Sequence, residues 1–493
     1  MLQSRFQMRF FDLGVITAYL IGITLFGARF RRSQKSLRDY FLGGRSTPWW
    51  AIAFSIVSAE TSTLTVIGTP ALSFNGNFGF LQVVLGYLAG RLVISYLLLP
   101  HYFRGEMYTA YELMQRRFGN RIRRFTAGAF LVLRAMAEGV RVFAISIVIS
   151  IVLGTGEALS IFLIVCLTLF YTFEGGMTAV IWTDVVQMIL YISGAVISLF
   201  VILGKIPGGW AEVWTVAGAA GKFQLFDFRF EPTAEFFRQT YTFWAGLIGG
   251  CFLNFGSHGT EQLMVQRLLS ARSEKESRIA LLASWVVIAS LFSLFLVIGA
   301  VLYVYYQSAG MPPPNLPDRI YPSFIWNNLP AGVAGIVIAA ILAAAMSNLS
   351  AALNSLASTT VMDFLKPVGE QAGAHRTDEQ WLAVARRATL VWGAILFGIA
   401  LVAQGVRSVL EAGLSIASVV YGALVGVFLL GLYSRRTGEK AAIAGMAASL
   451  AVMLYVWSGT RIAWSWYVVI GTTVTVAVAL ACSVFFKESR KHV

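Results

Sequence analysis

Residues 55–68 read SIVSAETSTLTVIG and lie inside an apolar run, 48–74, that is long enough to cross a bilayer. The stretch places Glu60 and six hydroxyl side chains where hydrocarbon penalises every unpaired polar atom. Irregular backbone at membrane depth survives only when it is buried in protein or lines a wet cavity. Unwinding near Ser58 to Thr61 frees carbonyl oxygens, and these with the adjacent hydroxyls are hard, neutral ligands suited to a partly dehydrated alkali cation. The same residues can instead back-bond within an intact helix or pack closely against a neighbour. The stretch alone leaves both readings open.

The rest of the chain sets the context. Hydrophobic residues fill 57% of the 493 positions and charged residues 13%, whereas soluble domains are about a quarter charged. Mean hydropathy is +0.71. This is the composition of a multi-spanning membrane protein, and apolar runs longer than ~18 residues favour helices over the alternating strands of a barrel. Cys166, Cys251 and Cys482 lie apart in apolar segments, with neither a metal-ligand spacing nor an evident disulfide pair. The net charge of +14 resides in short loops between apolar runs, so it reads as a topology signal and not as a nucleic-acid surface. No cleavable leader is expected, because the first run follows Arg5 and Arg9 without a small-residue cleavage site.

Charge clusters and Gly/Pro punctuation divide the chain into about thirteen predicted spans. They are 10–28, 48–74, 78–103, 125–153, 157–174, 180–204, 241–265, 279–306, 331–362, 381–404, 409–433, 439–457 and 464–486. The basic loops 29–46, 101–124, 267–278 and 435–440 and the tail KESRKHV then share one side. Assigning that side to the cytoplasm puts the N-terminus outside and the C-terminus inside. The loop 205–240 is charge-balanced, and 307–330 is Pro-rich and aromatic, the mark of a packed lid or of a plain connector. Two spans look interrupted, the opening stretch and GGCFLNFGSHGTEQLMVQR at 249–267. They begin successive sets of five spans, a pattern pointing to an inverted-repeat transporter. The expected organisation is an extra helix and basic loop (1–46), a first repeat with its external loop (47–240), a second repeat (241–437) and two added helices (438–493).

Further stretches carry candidate chemistry. AAAMSNLSAALNS, 343–355, is a small-residue helix face on which positions 347, 350 and 354 align, with 344 and 348 flanking. Close packing explains such a face, and so does a set of oxygen ligands. Asp184, in GGMTAVIWTDVVQ, is an intramembrane carboxylate that reads as a cation ligand, a proton carrier or an interfacial residue. In LRAMAEGVR, Arg134, Glu138 and Arg141 face one way. They either join Glu60, Asp184 and Arg91 in an anion-recognising network or neutralise one another. The four histidines are scattered, and no HExxH, GxSxG or GxxxxGK[ST] motif occurs, so enzymatic readings are thin. His258, in the second interrupted span, reads as a hydrogen-bonded linchpin.

In order along the chain, DYFLGGR, SIVSAETSTLTVIG, YELMQRRFG, GGMTAVIWTDVVQ, GTEQLMVQRLLSARS, AAAMSNLSAALNS with MDF, and VFLLGLYSRRTG resemble the sodium:solute symporter family, relatives of the sodium/glucose cotransporters. The resemblance runs from about residue 36 to 440. It implies an all-α, leucine-transporter-like five-plus-five inverted repeat and a sodium ion between the first and eighth core helices. By position, its ligands are the carbonyls of Ser58, Thr61 and Ala344 and the side chains of Ser347 and Asn348, the last standing where relatives carry Ser or Thr. Asp184 and Ser350 match a second cation site of some members, but Ala351 replaces a further hydroxyl, so one sodium per cycle is expected. Asn254 matches a solute-binding position, with Thr65 and Gln82 as further cavity candidates. Ile288 and Ser257 stand where sugar carriers place a lysine and an aromatic gate, which turns the expectation from a sugar toward a small polar or anionic organic solute. The expected protein is a sodium-coupled importer, multi-pass in the bacterial cytoplasmic membrane, with sodium, solute and lipid as partners. Proton coupling through Glu60 and Asp184, or a solute sensor on the same fold, are the alternatives.

Overall fold

The computed structural model describes residues 2–29, 46–104, 110–171, 177–231, 233–366 and 378–486. The DYFLGGR motif and the basic tail therefore lie outside the described residues. Within them the chain is helical, with one isolated β-bridge between Thr47 and Ala271. The first half contains α1 (Leu2–Arg29), α2 (Trp49–Glu60), α3 (Thr63–Asn75), α4 (Leu81–Leu97), α5 (Asn120–Leu153), α6 (Glu157–Tyr171), α7 (Met177–Gly204) and the short α8 (Gly209–Ala219). The second half contains α9 (Gly250–Asn254), α10 (Gln262–Leu269), α11 (Glu274–Ser308), α12 (Ile320–Asn328), α13 (Val333–Thr359), α14 (Asp378–Val402), α15 (Val409–Tyr433), α16 (Glu439–Gly459) and α17 (Tyr467–Phe485). Nine described helices are long and apolar enough to cross a membrane, ten when the bent pair α2 and α3 counts as one span.

The opening stretch breaks where its composition is least helical. Thr61 leaves the helix at φ −84°, ψ 84° and Ser62 is extended, so α2 and α3 meet at 66°. Hydroxyl side chains compete with the helix for backbone groups, which lowers the cost of unwinding here. The segment 241–265 departs from its expected irregularity in an informative way. It stays helical but widens into π-turns at Ala245–Gly249 and Phe255–Thr260, and breaks only at Glu261 (φ −86°, ψ 129°).

Small residues let the broken elements approach each other. Gly86 on α4 faces Gly246 and Gly250, and Gly90 faces Cys251 and Asn254; a Cβ on Gly86 would lie 2.2 Å from the Gly246 carbonyl oxygen. This is a small-xxx-small crossing on both partners. At Pro70 of α3, Gly299 of α11 comes so close that a Cβ would lie 2.1 Å from the Pro70 oxygen. Helix α13 packs against α1, α3, α5, α7 and α14, while α16 and α17 pair with each other beside α15.

Three helix N-termini are capped by carboxylates from other elements. Asp12 of α1 accepts from the N–H groups of Gly332 and Gly335 at the start of α13, at 2.7 and 2.9 Å. Glu439 accepts from Arg121 and Ile122 at the start of α5. Asp318, in the connection between α11 and α12, accepts from the Val409 N–H at the start of α15. Each places negative charge at a helix's positive end.

Two outcomes follow for stability. Gly86→Val is expected to lower the thermal unfolding midpoint in detergent, an overpacking cost of about 1–3 kcal/mol; Gly204→Ala, with nothing within 4 Å of its Cβ position, should not. Burial pushes the Asp318 carboxyl up to about 6 from an ordinary 3.8. A raised folded-state value means that stability from this group falls as pH rises from about 4 to about 6 and is level above. Asp318→Asn keeps an acceptor for Val409 and should flatten that part of the melting-temperature profile.

Candidate functional site

At the break, the N–H groups that ordinarily close helical turns turn elsewhere. Ser62 N–H, the usual partner of the Ser58 carbonyl, donates to the Glu60 oxygen at 3.1 Å, and Thr65 N–H donates to Ser62 instead of Thr61, at 2.9 Å. The carbonyls of Ser58 and Thr61 are thereby released. The hydroxyls of Thr61 and Thr63 are buried beside them with no hydrogen-bond partner. Orphaned neutral oxygens at a buried break are the donor set a sodium ion takes, so these residues fit the ion. Helix α13 is unbroken and packs on α3, the helix that follows the break. Ala344 on it is buried, Asn348 and Ser350 are half-buried, and the Ser347 side chain lies outside the described residues.

Sequence reasoning left open one large charge network; the structure resolves three. In the first, Glu60 Oε2 pairs with Arg91 Nη2 of α4 at 2.5 Å, and Arg91 Nε donates to Ser284 of α11. His258 sits 3.4 Å from Glu60 through Nε2, while its Nδ1 meets the Asn254 amide nitrogen at 3.1 Å and the Ser257 hydroxyl at 2.8 Å. Nε2 also lies 3.4 Å from Arg91 Nη2, so the ring joins Glu60, Arg91, Asn254 and Ser257 in one cluster. Asn254 Oδ1 and Arg91 Nη1 are buried without partners in the same cluster.

In the second, Asp184 of α7 is buried and takes hydrogen bonds from Ser55 (2.6 Å), Ser58 (3.3 Å) and Arg267 of α10 (3.0 Å). Arg267 Nε also reaches the Ser55 hydroxyl at 2.9 Å. A guanidinium therefore holds the Asp184 carboxylate, the residue that with Ser350 matched the second cation site of some family members. Its burial departs from the wetted, interfacial reading of Asp184. In the third, Glu138 bonds Arg141 and, at 3.0 Å, Arg134. Arg134 reaches Glu261 at 3.2 Å, and Glu261 accepts from the Tyr421 hydroxyl of α15 at 2.5 Å.

Two solute candidates are placed differently. Thr65 is buried in the first turn of α3, next to the break. Gln82 is committed to backbone: its Nε2 donates to the carbonyls of Gly79 and Tyr241 and its Oε1 accepts from Asp227 N–H. It clamps the loop between α8 and the segmented span, which removes its amide from solute binding. Arg267, Glu261, Ser55 and Tyr421 were missed as site residues. Glu261 and Arg267 lay in plain sight in GTEQLMVQR, whose polar density had marked the stretch but not its partners.

A helix broken within an apolar span, with freed carbonyls and with ion pairs buried among the neighbouring helices, is the arrangement expected of a membrane carrier for a cation and a companion solute. Comparison with known proteins agrees. Residues 40–449 match the sodium:solute symporter family. The sodium/sialic acid symporter NanT of Aliivibrio fischeri is 30% identical over 96% of this chain and 92% of its own length. The human sodium/iodide cotransporter is 28% identical over 92% of this chain and 70% of its own length. A solved substrate-bound, outward-open Na+-coupled sialic acid symporter superposes with a TM-score of 0.82 at 29% identity, covering 98% of this chain and 99% of that one. The chain belongs to the sodium:solute symporter family. It is a sodium-coupled solute symporter, and sodium is its coupling ion.

The Asp184–Arg267 pair makes a testable contribution. Arg267→Met leaves a buried carboxylate without its counter-charge and should cost about 3–5 kcal/mol. The double change Asp184→Asn with Arg267→Met should melt closer to the unsubstituted protein than Arg267→Met alone.

Proposed function

We propose that this symporter carries one sodium ion with one small organic anion. The observation that carries the reading is the release of the Ser58 and Thr61 carbonyls beside the unpartnered hydroxyls of Thr61 and Thr63. Sodium binds there, completed from α13 by the Ala344 carbonyl and the side chains of Ser347 and Asn348, so that the ion ties the broken helix to α13. Only a ligand with different affinity for two conformations shifts their balance, and a site shared between two elements has that property.

The anionic solute is supported by two considerations. The named cargoes of the relatives, sialic acid, iodide and monocarboxylates, are acids or an anion. Within the three networks, Arg91, Arg134, Arg141 and Arg267 are matched by Glu60, Glu138, Glu261 and Asp184. These networks leave no surplus fixed cation for a carboxylate, so the sodium ion supplies the compensating charge. Glu60 and Asp184 are both held by guanidinium groups, which disfavours proton coupling through them. Asn254, with its free Oδ1, and Thr65 contact the solute's polar groups.

The architecture that goes with this reading is a five-plus-five inverted repeat over 47–240 and 241–437. It has thirteen spans, the N-terminus outside and the C-terminus inside, and sits in a bacterial cytoplasmic membrane. The support is the placement of the two interrupted helices at the head of each set and the basic loops on one side.

In proteoliposomes, Ser347→Ala and Asn348→Ala should each raise the sodium concentration for half-maximal uptake about tenfold or more, a loss of at least ~1.4 kcal/mol. Ser350→Ala should leave it unchanged. Uptake of a monoanion should generate no current; a sodium-driven inward current would show that the assumed stoichiometry is wrong.

A further inference from the structure

We propose that the loop between α8 and the segmented span, with the turn joining α16 to α17, is an aromatic seat embedded in the headgroup boundary of the bilayer. It lies at the end of the bundle opposite the basic loops. Helix α8 begins five residues after α7 ends, so it starts at the membrane surface. Its apolar stripe is only half covered. Val213 and Ala217 are buried where α8 meets α11, while Trp210 and Trp214, on the adjoining part of the same stripe, stay exposed, Trp214 at 63%.

The following chain has no regular secondary structure, and Phe226, Phe228 and Phe230 recur at every second residue; Phe228 lies against Phe243 and Phe230 against the adjoining Trp244. Phe228 is 59% and Phe230 64% exposed. Phe226 and Phe228 stack at 5.2 Å and lean on Phe243. The loop is joined laterally to the spans: Ala463 N–H donates to the Phe237 carbonyl at 2.8 Å, and Phe237 packs on Trp466. That turn follows directly from Tyr455 and Trp457, which are exposed in the last turns of α16.

A lipid boundary suits this surface better than a protein partner does. The surface continues the exposed apolar stripe of α7, formed by Ile189, Val196 and Phe200. Arg229 pairs with Asp227 and Arg238 with Glu235, and the loop 205–240 carries four basic and four acidic residues, so it offers no net charge to an oppositely charged partner. Trp and aromatic rings with apolar bodies and polar rims partition to the interface between hydrocarbon and water. The seat is also connected to the core, because Asp227 N–H is held by Gln82 of α4.

Two measurements test this. Wild-type protein in nanodiscs is irradiated with phosphatidylcholine carrying a diazirine near the headgroup, and lipid adducts are mapped by mass spectrometry. Adducts are expected on peptides spanning 210–230 as well as on the 189–200 segment of α7; adducts on α7 with none on 210–230 would overturn the proposal. Nitroxides are placed at 214, 228, 229 and 230 by cysteine substitution, after Cys166, Cys251 and Cys482 are replaced by serine and sodium-driven uptake is verified. Labels at 214, 228 and 230 should collide with oxygen in several-fold excess over a water-soluble nickel complex, as a label at 196 does, and the label at 229 should reverse that preference. Nickel dominance at all four positions means the loop stands in water. Protection from both reagents, with spin–spin broadening between protomers, means a second copy covers the surface. Either outcome rejects the lipid seat.

Discussion

A backbone that leaves its helix inside a membrane protein must find partners for the groups it exposes, and this one requirement organises the centre of the molecule. The break at Thr61 and Ser62 ends α2 at Glu60, so a carboxylate stands at the negative end of a helix dipole. That is tolerable only with a cation beside it, and Arg91 supplies one at 2.5 Å. Arg91 in turn needs acceptors in an apolar interior, which Ser284 and Glu60 provide. The π-widened span can bring His258 into the same cluster because Gly86, Gly90, Gly246 and Gly250 remove the side chains that would hold α4 away. Among the groups left unsatisfied after this chain of compensation are neutral oxygens at the break, the Thr61 and Thr63 hydroxyls with the Ser58 and Thr61 carbonyls, which a sodium ion can use.

The short helix α10 ties the remaining charges together. Glu261 at its N-terminal edge pairs with Arg134 of α5, and Arg267 in its last turn pairs with Asp184 of α7. Any motion of α10 relative to α5 and α7 must therefore disturb two buried ion pairs together, each costly to leave half-made. Ser58 belongs to both worlds, since its carbonyl is released at the break and its hydroxyl donates to Asp184. The ion site and the inner ion pair thus share a residue, and a change at one is felt at the other without any longer pathway.

Much of this was legible in the residues. The apolar runs marked the nine long apolar helices found among the described residues, because hydrocarbon thickness sets the length of a spanning helix. The density of hydroxyl and glycine residues marked the two interrupted helices because those side chains favour local alternatives to regular helix. The spacing of Arg134, Glu138 and Arg141 placed them on one face, and the structure pairs them there. The partners across the fold were not legible. Arg267 reaches Asp184 across 83 positions of sequence, and Gln82 reaches Asp227 across 145. Neither distance leaves a periodic trace. Gln82 looked like a cavity residue because it is polar in an apolar helix, a property shared by residues that bind solute and residues that clamp a loop.

By itself, then, the sequence pointed to a helical membrane protein resembling the sodium:solute symporter family, with two interrupted spans, one of them around Ser58 to Thr61, and ionisable residues inside apolar runs. These are consequences of local composition, period and short motifs, which act between residues close in the chain. Only the tertiary structure decided which carboxylate neutralises which arginine, which helix ends Asp12, Glu439 and Asp318 cap, and that Asp184 faces a guanidinium. A buried charge is indifferent to the sequence distance of its partner and sensitive only to the space around it, and that space exists only once the helices have packed.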